Sequence, residues 1–247
     1  MSDAVTMIGR SVRLSSRNVE ALLTSLALPM MLMLLFVHLF GGAISTGDAY
    51  VQYVVPGVLV LCAGFGAGST AVSVSQDMTG GIIDRFRSLD VGGPAILAGH
   101  VTAALARNVA ASVLVLAVAA AIGFRPQATA AGWFAAAGVL LAFVFAVAWL
   151  AAAVGLLARS AEAASGFAFV VGFLPYPSSG FAPIDTMPSW LQGFAENQPI
   201  TPVIESLRGL LLGRPVGESP WLALAWCAAI VAVSMAASIA LFRRRTS

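Results

Sequence analysis

The feature that most constrains this chain is a stretch without charge, since no charged residue lies between Arg125 and Arg159. A helix that crosses a bilayer needs about 20 consecutive, mostly apolar residues, and this stretch is long enough to supply one. Other apolar runs have similar length, so the sequence predicts six spans: residues 21–42, 50–75, 95–124, 131–158, 163–181 and 221–242. We expect the spans to be α-helical, because lipid offers no partners for backbone N–H and C=O groups.

The composition favours a membrane protein over a soluble one. Hydrophobic residues make up 59% of the chain and charged residues 10%, with a mean hydropathy of +0.92, whereas a soluble domain is about half apolar and about a quarter charged. The predicted fold class is therefore an all-α, polytopic integral membrane protein, with 1–247 as a single transmembrane domain. Cys62 and Cys227 lie in apolar runs, which favours buried small side chains over a disulfide framework.

The arginines predict the orientation. All 13 basic residues are arginine, and an inside N-terminus places nine on the inner side and three on the outer side. This excess follows the positive-inside rule, so both termini are predicted to be cytoplasmic. Arg107 is expected near the inner end of span three, where its long side chain could reach the headgroups. The outer arginines are Arg125, Arg208 and Arg214.

The N-terminal segment carries a basic helical face. Arg10, Arg13 and Arg17 recur at three- and four-residue spacing, which indicates an amphipathic helix over residues 1–20 that lies on the inner leaflet before span one. The alternative is a short tail that only anchors the orientation by its charge.

The inner loop between spans two and three, residues 76–94, is the most charged stretch of the chain. Glycine pairs punctuate both of its ends, and "IIDRFRSLD" between them has apolar residues at near-helical spacing: Ile83, Phe86 and Leu89. A short helix with an apolar stripe and charged flanks could dock on a partner. A solvated loop that only places charge explains the same residues equally well.

The outer segment, residues 182–219, is rich in proline, and neither of its predicted helices is long enough to span the bilayer. "PSWLQGFAENQ" and "PITPVIESLRGLLLG" each predict a short helix that is begun by proline and ended by Gly, Asn or Gln. Such a hairpin lies in the outer interface or enters the bilayer as a re-entrant element, and Trp190 suits that depth. It either caps a pathway or packs as a buried hairpin.

Several chemistries are excluded or disfavoured. The chain contains no lysine, and a phosphate-binding P-loop needs one, so it cannot hydrolyse ATP through a Walker A motif. His38 and His100 have no metal-ligand spacing. Carboxylates are scarce within the predicted spans, which disfavours ion-coupled transport, and "GAGST" at 66–70 is better explained by helix packing than by a serine nucleophile.

Two longer motifs resemble a known family. "GGIIDRFRSLDVGGPAILAGHV" is similar to the inner loop, and "SSGFAPIDTMPSWLQGFAENQPITPVIESLRGLLLG" to the C-terminal signature, of ABC-2 type exporter permeases of the daunorubicin-resistance-like branch. The resemblance covers nearly the whole chain. The sequence departs from the family pattern at Gln198, which is inserted in "NQPIT", and at "PYPSS" in span five.

The resemblance implies a permease subunit in a bacterial plasma membrane that exports a lipophilic or amphipathic drug, antibiotic or lipid. Two cytoplasmic ATPase subunits would bind ATP and Mg, a second permease chain would complete the pathway, and no nucleic acid is expected. A passive flippase, or a scaffold or sensor that works without ATP, is the alternative. The implied ATPase-coupling residues are Gly81, Ile83, Asp84, Arg85, Phe86, Arg87 and Leu89. The implied extracellular gate consists of Phe181, Pro183, Asp185, Pro188, Trp190, Asn197, Pro199, Thr201, Glu205 and Arg208.

Overall fold

The computed structural model describes residues 19–42, 49–80 and 93–246, and every regular element in these ranges is helical. The all-α prediction is confirmed. The interfacial-helix arginines, Arg10, Arg13 and Arg17, and the predicted coupling residues 81–89 lie outside the described residues. The main helices are α1 (Val19–Leu35), α2 (Tyr50–Thr79), α3 (Gly93–Ala121), α4 (Ala130–Leu157), α5 (Ala161–Phe173), α6 (Ser189–Asn197), α7 (Ile200–Leu212) and α8 (Ser219–Thr246). A π-helix (Phe36–Phe40) extends α1, and a short 3₁₀ helix (Ile184–Thr186) precedes α6.

Four of the described helices are long and apolar enough to cross a membrane: α2, α3 from Ile96, α4, and α8 as far as Leu241. Two shorter apolar helices accompany them, one at Ala27–Leu39 and one at α5. Several apolar helices of this length in one chain confirm a polytopic, membrane-embedded protein.

The fifth predicted span differs from the prediction. Its helix ends at Phe173 rather than at residue 181, and turns continue the chain through residue 182. Pro175 and Pro177 explain the early end, because neither can donate the backbone hydrogen bond that a continuing helix requires. The irregular segment 174–183 therefore links α5 to the hairpin.

Helix α2 is the centre of the bundle and packs against α1, α3, α4, α5 and α7. Small residues bring its neighbours close, as membrane helix packing requires. A Cβ atom on Gly57 would lie 2.7 Å from the carbonyl oxygen of Gly180, and one on Gly155 of α4 would lie 2.6 Å from the carbonyl oxygen of Ala71. At both places backbone faces backbone, and only glycine fits without movement.

The two ends of the bundle carry different connections. At the end that carries the hairpin, the Gln127 N–H donates to the carbonyl of Leu211 at 2.9 Å, which joins the α3–α4 connection to α7. The opposite end holds a separate apolar cluster that includes Val74, Leu97 and Leu156. We call these the hairpin end and the loop end, since α2 ends and α3 begins beside the second.

Candidate functional site

The outer segment folds into the two predicted short helices. Helix α6 follows Pro188 and ends at Asn197, and α7 follows Pro199. Gly213 closes α7 with φ of +65°, the left-handed conformation that suits glycine after a helix. The prolines therefore mark the corners of the hairpin, as the sequence predicts.

The two helices of the hairpin are buried to very different extents. Helix α7 packs against α2, α4 and α8, and Val203, Ile204 and Leu207 on it are buried completely or nearly so. Helix α6 presents Trp190, which is 77% exposed, and Phe194, which is 50% exposed, on one face. Helix α7 is thus part of the bundle, while α6 offers an aromatic surface that the described part of the chain leaves open.

Arg208 of α7 anchors the hairpin to its surroundings. Its Nε and Nη2 donate to the backbone carbonyl of Tyr53 at 3.3 and 3.2 Å, and Nη2 also donates to the carbonyl of Ser179. The guanidinium lies 3.7 Å from the centre of the Tyr53 ring, in a cation–π contact. One side chain therefore joins α7, the first turn of α2 and segment 174–183.

The local sequence weakens α2 next to this anchor. Pro56 lies inside α2 and has no N–H to donate to the carbonyl of Gln52. The carbonyl that receives Arg208 belongs to the next residue, Tyr53. Burial lowers the pKa of the Arg208 guanidinium, and Tyr53 and Glu205 oppose that shift. An arginine stays charged throughout, so the bonds to the carbonyls are charge-assisted.

An aromatic cluster lies beside this anchor. The Tyr50 hydroxyl donates to the carbonyl of Phe181 at 2.7 Å. The Phe181 ring stacks on Tyr176 with centroids 5.0 Å apart and contacts Phe36 at the same separation. These contacts fix segment 174–183 against the first turn of α2 and the end of the first apolar helix.

The predicted gate residues divide into three groups. Phe181 and Thr201 are buried, and Thr201 donates through Oγ1 to the carbonyl of Ala195 at 2.5 Å, which ties α7 to α6. Pro183, Pro199 and Arg208 are half-buried. The exposed members are Asp185, Pro188, Trp190, Asn197 and Glu205.

Comparison with known proteins decides the family. The sequence model described as "ABC-2 type transporter" matches residues 3–212. The chain belongs to the ABC-2 type transporter family. It is 30% identical over 249 residues to the daunorubicin resistance ABC transporter permease protein DrrB1 of Streptomyces coeruleorubidus. This alignment covers 100% of this chain and 88% of that protein. It is 24% identical to the probable doxorubicin resistance ABC transporter permease protein DrrC of Mycobacterium tuberculosis, over 94% of this chain and 84% of that protein.

The two stretches that were expected to depart from the family pattern contact each other. Gln198 lies between α6 and α7, is 5% exposed, and donates through Nε2 to the carbonyl of Pro177 in "PYPSS". Gln198 thus supplies a donor to the irregular segment 174–183. Sequence reasoning named both departures but gave no sign that they meet.

Sequence reasoning also missed the partners of Arg208. Tyr53 and Ser179 contribute backbone carbonyls, and a carbonyl carries no sequence signal. Pro56 marks only a weakened turn beside the anchor, because the carbonyl that it frees belongs to Gln52 and not to Tyr53.

Polar side chains follow one face of α2 toward the loop end. Ser69 and Gln76 are exposed and Ser73 is half-buried, at spacings of four and three residues. The hydroxyls of Ser69 and Ser73 donate to carbonyls of their own helix at 2.8 and 2.9 Å. The described part of the chain leaves this polar face of α2 open, so the face is suited to contact water or another subunit.

Arg107 lies elsewhere than the sequence predicts. Fourteen residues of α3 precede it and fourteen follow it, so it stands halfway along the helix rather than near an end. Its Nη2 donates to Thr70 Oγ1 of α2 at 2.9 Å. Beside it, Asn108 is buried and packs against Gly66, whose missing side chain makes room for the amide.

A cavity of about 240 Å³ opens between α3 and α4 and reaches α7. Its lining is apolar except for Asn108 and Ser112, and Trp133, Leu140 and Leu207 form part of the wall. Such a lining accepts hydrocarbon groups and gives little polar recognition.

Proposed function

We propose that this ABC-2 family member is the membrane-spanning permease subunit of an ATP-driven exporter of drugs or other lipophilic or amphipathic compounds. The similarity to a drug-resistance permease over the full length of the chain carries the proposal. The apolar interior supports it, because a pathway with few polar groups suits such a cargo.

Six spans with both termini in the cytoplasm fit the described helices. In this arrangement the first apolar helix and α5 join the four longer helices as spans, and the hairpin end faces outward from a bacterial plasma membrane. The excess of arginine on the loop side supports this orientation. Residues 1–20 then lie on the inner leaflet as an interfacial helix.

Energy comes from another subunit, because this chain has no lysine for a Walker A motif. Two cytoplasmic ATPase subunits bind ATP and Mg, and they push on the inner loop around Asp84, Arg85 and Phe86. The apolar side chain of Phe86 enters a pocket on the ATPase, while the charges fix its register.

A second permease chain completes the pathway. The polar face of α2, with Ser69, Ser73 and Gln76, turns toward it, and α5 lies next to α2. The hairpin forms the outer gate, in which Arg208 holds α7 in place and the exposed helix α6 is the part free to move.

The test is to co-purify the chain from native membranes and reconstitute the complex in inverted vesicles with daunorubicin as the probe. We expect a stoichiometric ATPase subunit and vanadate-sensitive, ATP-dependent accumulation of the probe. A chain that purifies without an ATPase and equilibrates the probe without nucleotide would show a passive flippase instead. A chain that does neither would indicate a scaffold or sensor.

A further inference from the structure

A polar contact joins α2 and α3 at the loop end of the bundle. His100 Nε2 lies 3.0 Å from Asp77 Oδ2. A carboxylate can only accept a hydrogen bond, so the imidazole donates through Nε2–H whether or not the ring carries a charge. The Asp77 side chain is 19% exposed and the His100 side chain is 15% exposed, so water competes weakly for the contact.

The positions of the two residues give the contact its meaning. Asp77 lies two residues before the end of α2, and His100 lies in the second turn of α3. They are 23 residues apart in sequence, and the connection between the helices lies between them. A contact at this place closes the base of the α2–α3 hairpin.

An apolar cluster surrounds the same base. Val74 of α2, Leu97 of α3, and Ala152 and Leu156 of α4 are buried together, and Leu241 of α8 packs against them. The hydrogen bond adds a directional contact to this packing. A relative shift of α2 and α3 would break the contact between Asp77 and His100.

We infer that Asp77 and His100 are positioning residues that clamp α2 to α3, so that a push on the connection between these helices moves both as one body. This inference rests on the proposed function, in which an ATPase supplies that push. Without the clamp, α3 would be displaced while α2, which carries the polar face of the proposed pathway, would lag behind. Hydrolysis would continue, but less cargo would move for each ATP.

The experiment compares transport per ATP hydrolysed in reconstituted complexes of the permease with its co-purified ATPase, using daunorubicin as the probe. His100→Ala and Asp77→Ala are each expected to lower this ratio about tenfold, a usual size for coupling between sites. Thr102→Ala is the matched control, because the Thr102 hydroxyl donates only within α3, to Ala98, at 2.8 Å. It should keep the wild-type ratio.

Exchange of the two residues tests the contact itself. The double variant Asp77→His with His100→Asp swaps the donor and the acceptor between the two positions. It should recover at least about half of the wild-type transport per ATP hydrolysed. If the alanine variants fail to assemble, His100→Gln and Asp77→Asn retain a donor and an acceptor and should keep coupling above that of His100→Leu. Recovery in the exchanged variant supports a clamp over a general effect on folding.

The outcomes separate the two proposals. An active wild-type complex in which the alanine variants keep the full ratio would overturn the clamp and leave the exporter intact. Equal loss in Thr102→Ala would also overturn it, since that would show a general sensitivity of α3. A wild-type complex with no ATP-driven transport would instead refute the proposed function.

Discussion

Replacement of Arg208 by leucine should destabilise the whole bundle, not only the hairpin. The substitution keeps the apolar stem of the side chain but removes the guanidinium that bonds the carbonyls of Tyr53 and Ser179. Arg125→Leu is the matched control, because it also removes an arginine at the hairpin end. The Arg125 side chain is exposed and bonds only carbonyls close to it in sequence, those of Ala120 and Phe124.

The contacts set the expected size. A hydrogen bond to a charged group contributes about 1.5–3 kcal/mol, and a partly buried cation–π contact adds about 1 kcal/mol. Because leucine recovers part of the packing, we expect a net loss of about 3 kcal/mol in the free energy of unfolding. For a chain of this length each kcal/mol corresponds to about 2–4 °C, so the melting temperature should fall by roughly 6–12 °C.

The assay is thermal unfolding of the purified variants in one detergent, followed by tryptophan fluorescence. The free energy of unfolding of Arg125→Leu should lie within about 0.5 kcal/mol of wild type, as it usually does for exposed substitutions. The melting temperature of Arg208→Lys should fall between those of Arg208→Leu and Arg125→Leu, since an ammonium keeps the charge but lacks the planar fork of the guanidinium. Equal melting temperatures for Arg208→Leu and Arg125→Leu would refute the idea that Arg208 anchors the hairpin.

The packing and the proposed coupling give three further predictions. Gly57→Ala should lower the free energy of unfolding by about 1–3 kcal/mol, because the added Cβ meets facing backbone. Gly138→Ala is the control and should leave the free energy of unfolding unchanged, because no atom lies within 4 Å of the position of its Cβ. Equal melting temperatures for the two variants would contradict this prediction. Pro188→Ala should change daunorubicin export without loss of membrane insertion, and unchanged export would reduce the hairpin to packing. Arg85→Glu combined with Arg87→Glu should keep the chain folded but abolish co-purification of the ATPase, and wild-type recovery of that subunit would exclude these charges from docking.

Local signals were enough to predict the helices and the hairpin. Long uncharged runs identify the helices, and prolines at 188 and 199 mark the starts of α6 and α7. The apolar run predicts the end of span five wrongly, because it continues through Pro175 and Pro177, whose missing N–H groups end the helix.

Contacts between distant residues could not be predicted. The sequence around His100 contains no signal of its partner, since Asp77 lies on another helix. The usual preference of charge for headgroups predicts a helix end for Arg107, but α3 extends equally far on both sides of it. Such pairings depend on how helices pack, which one sequence does not specify.

The Arg208 anchor also has a consequence for how the chain is made. The carbonyl of Tyr53 and the arginine that bonds it are 155 residues apart. At about 5–20 residues per second, the ribosome needs roughly 8–30 s between the two. During that time the proline-weakened start of α2 lacks the bonds that Arg208 donates. Chains that stop before α7 should therefore be recognised and degraded by membrane proteases even though most of their helices are already in place.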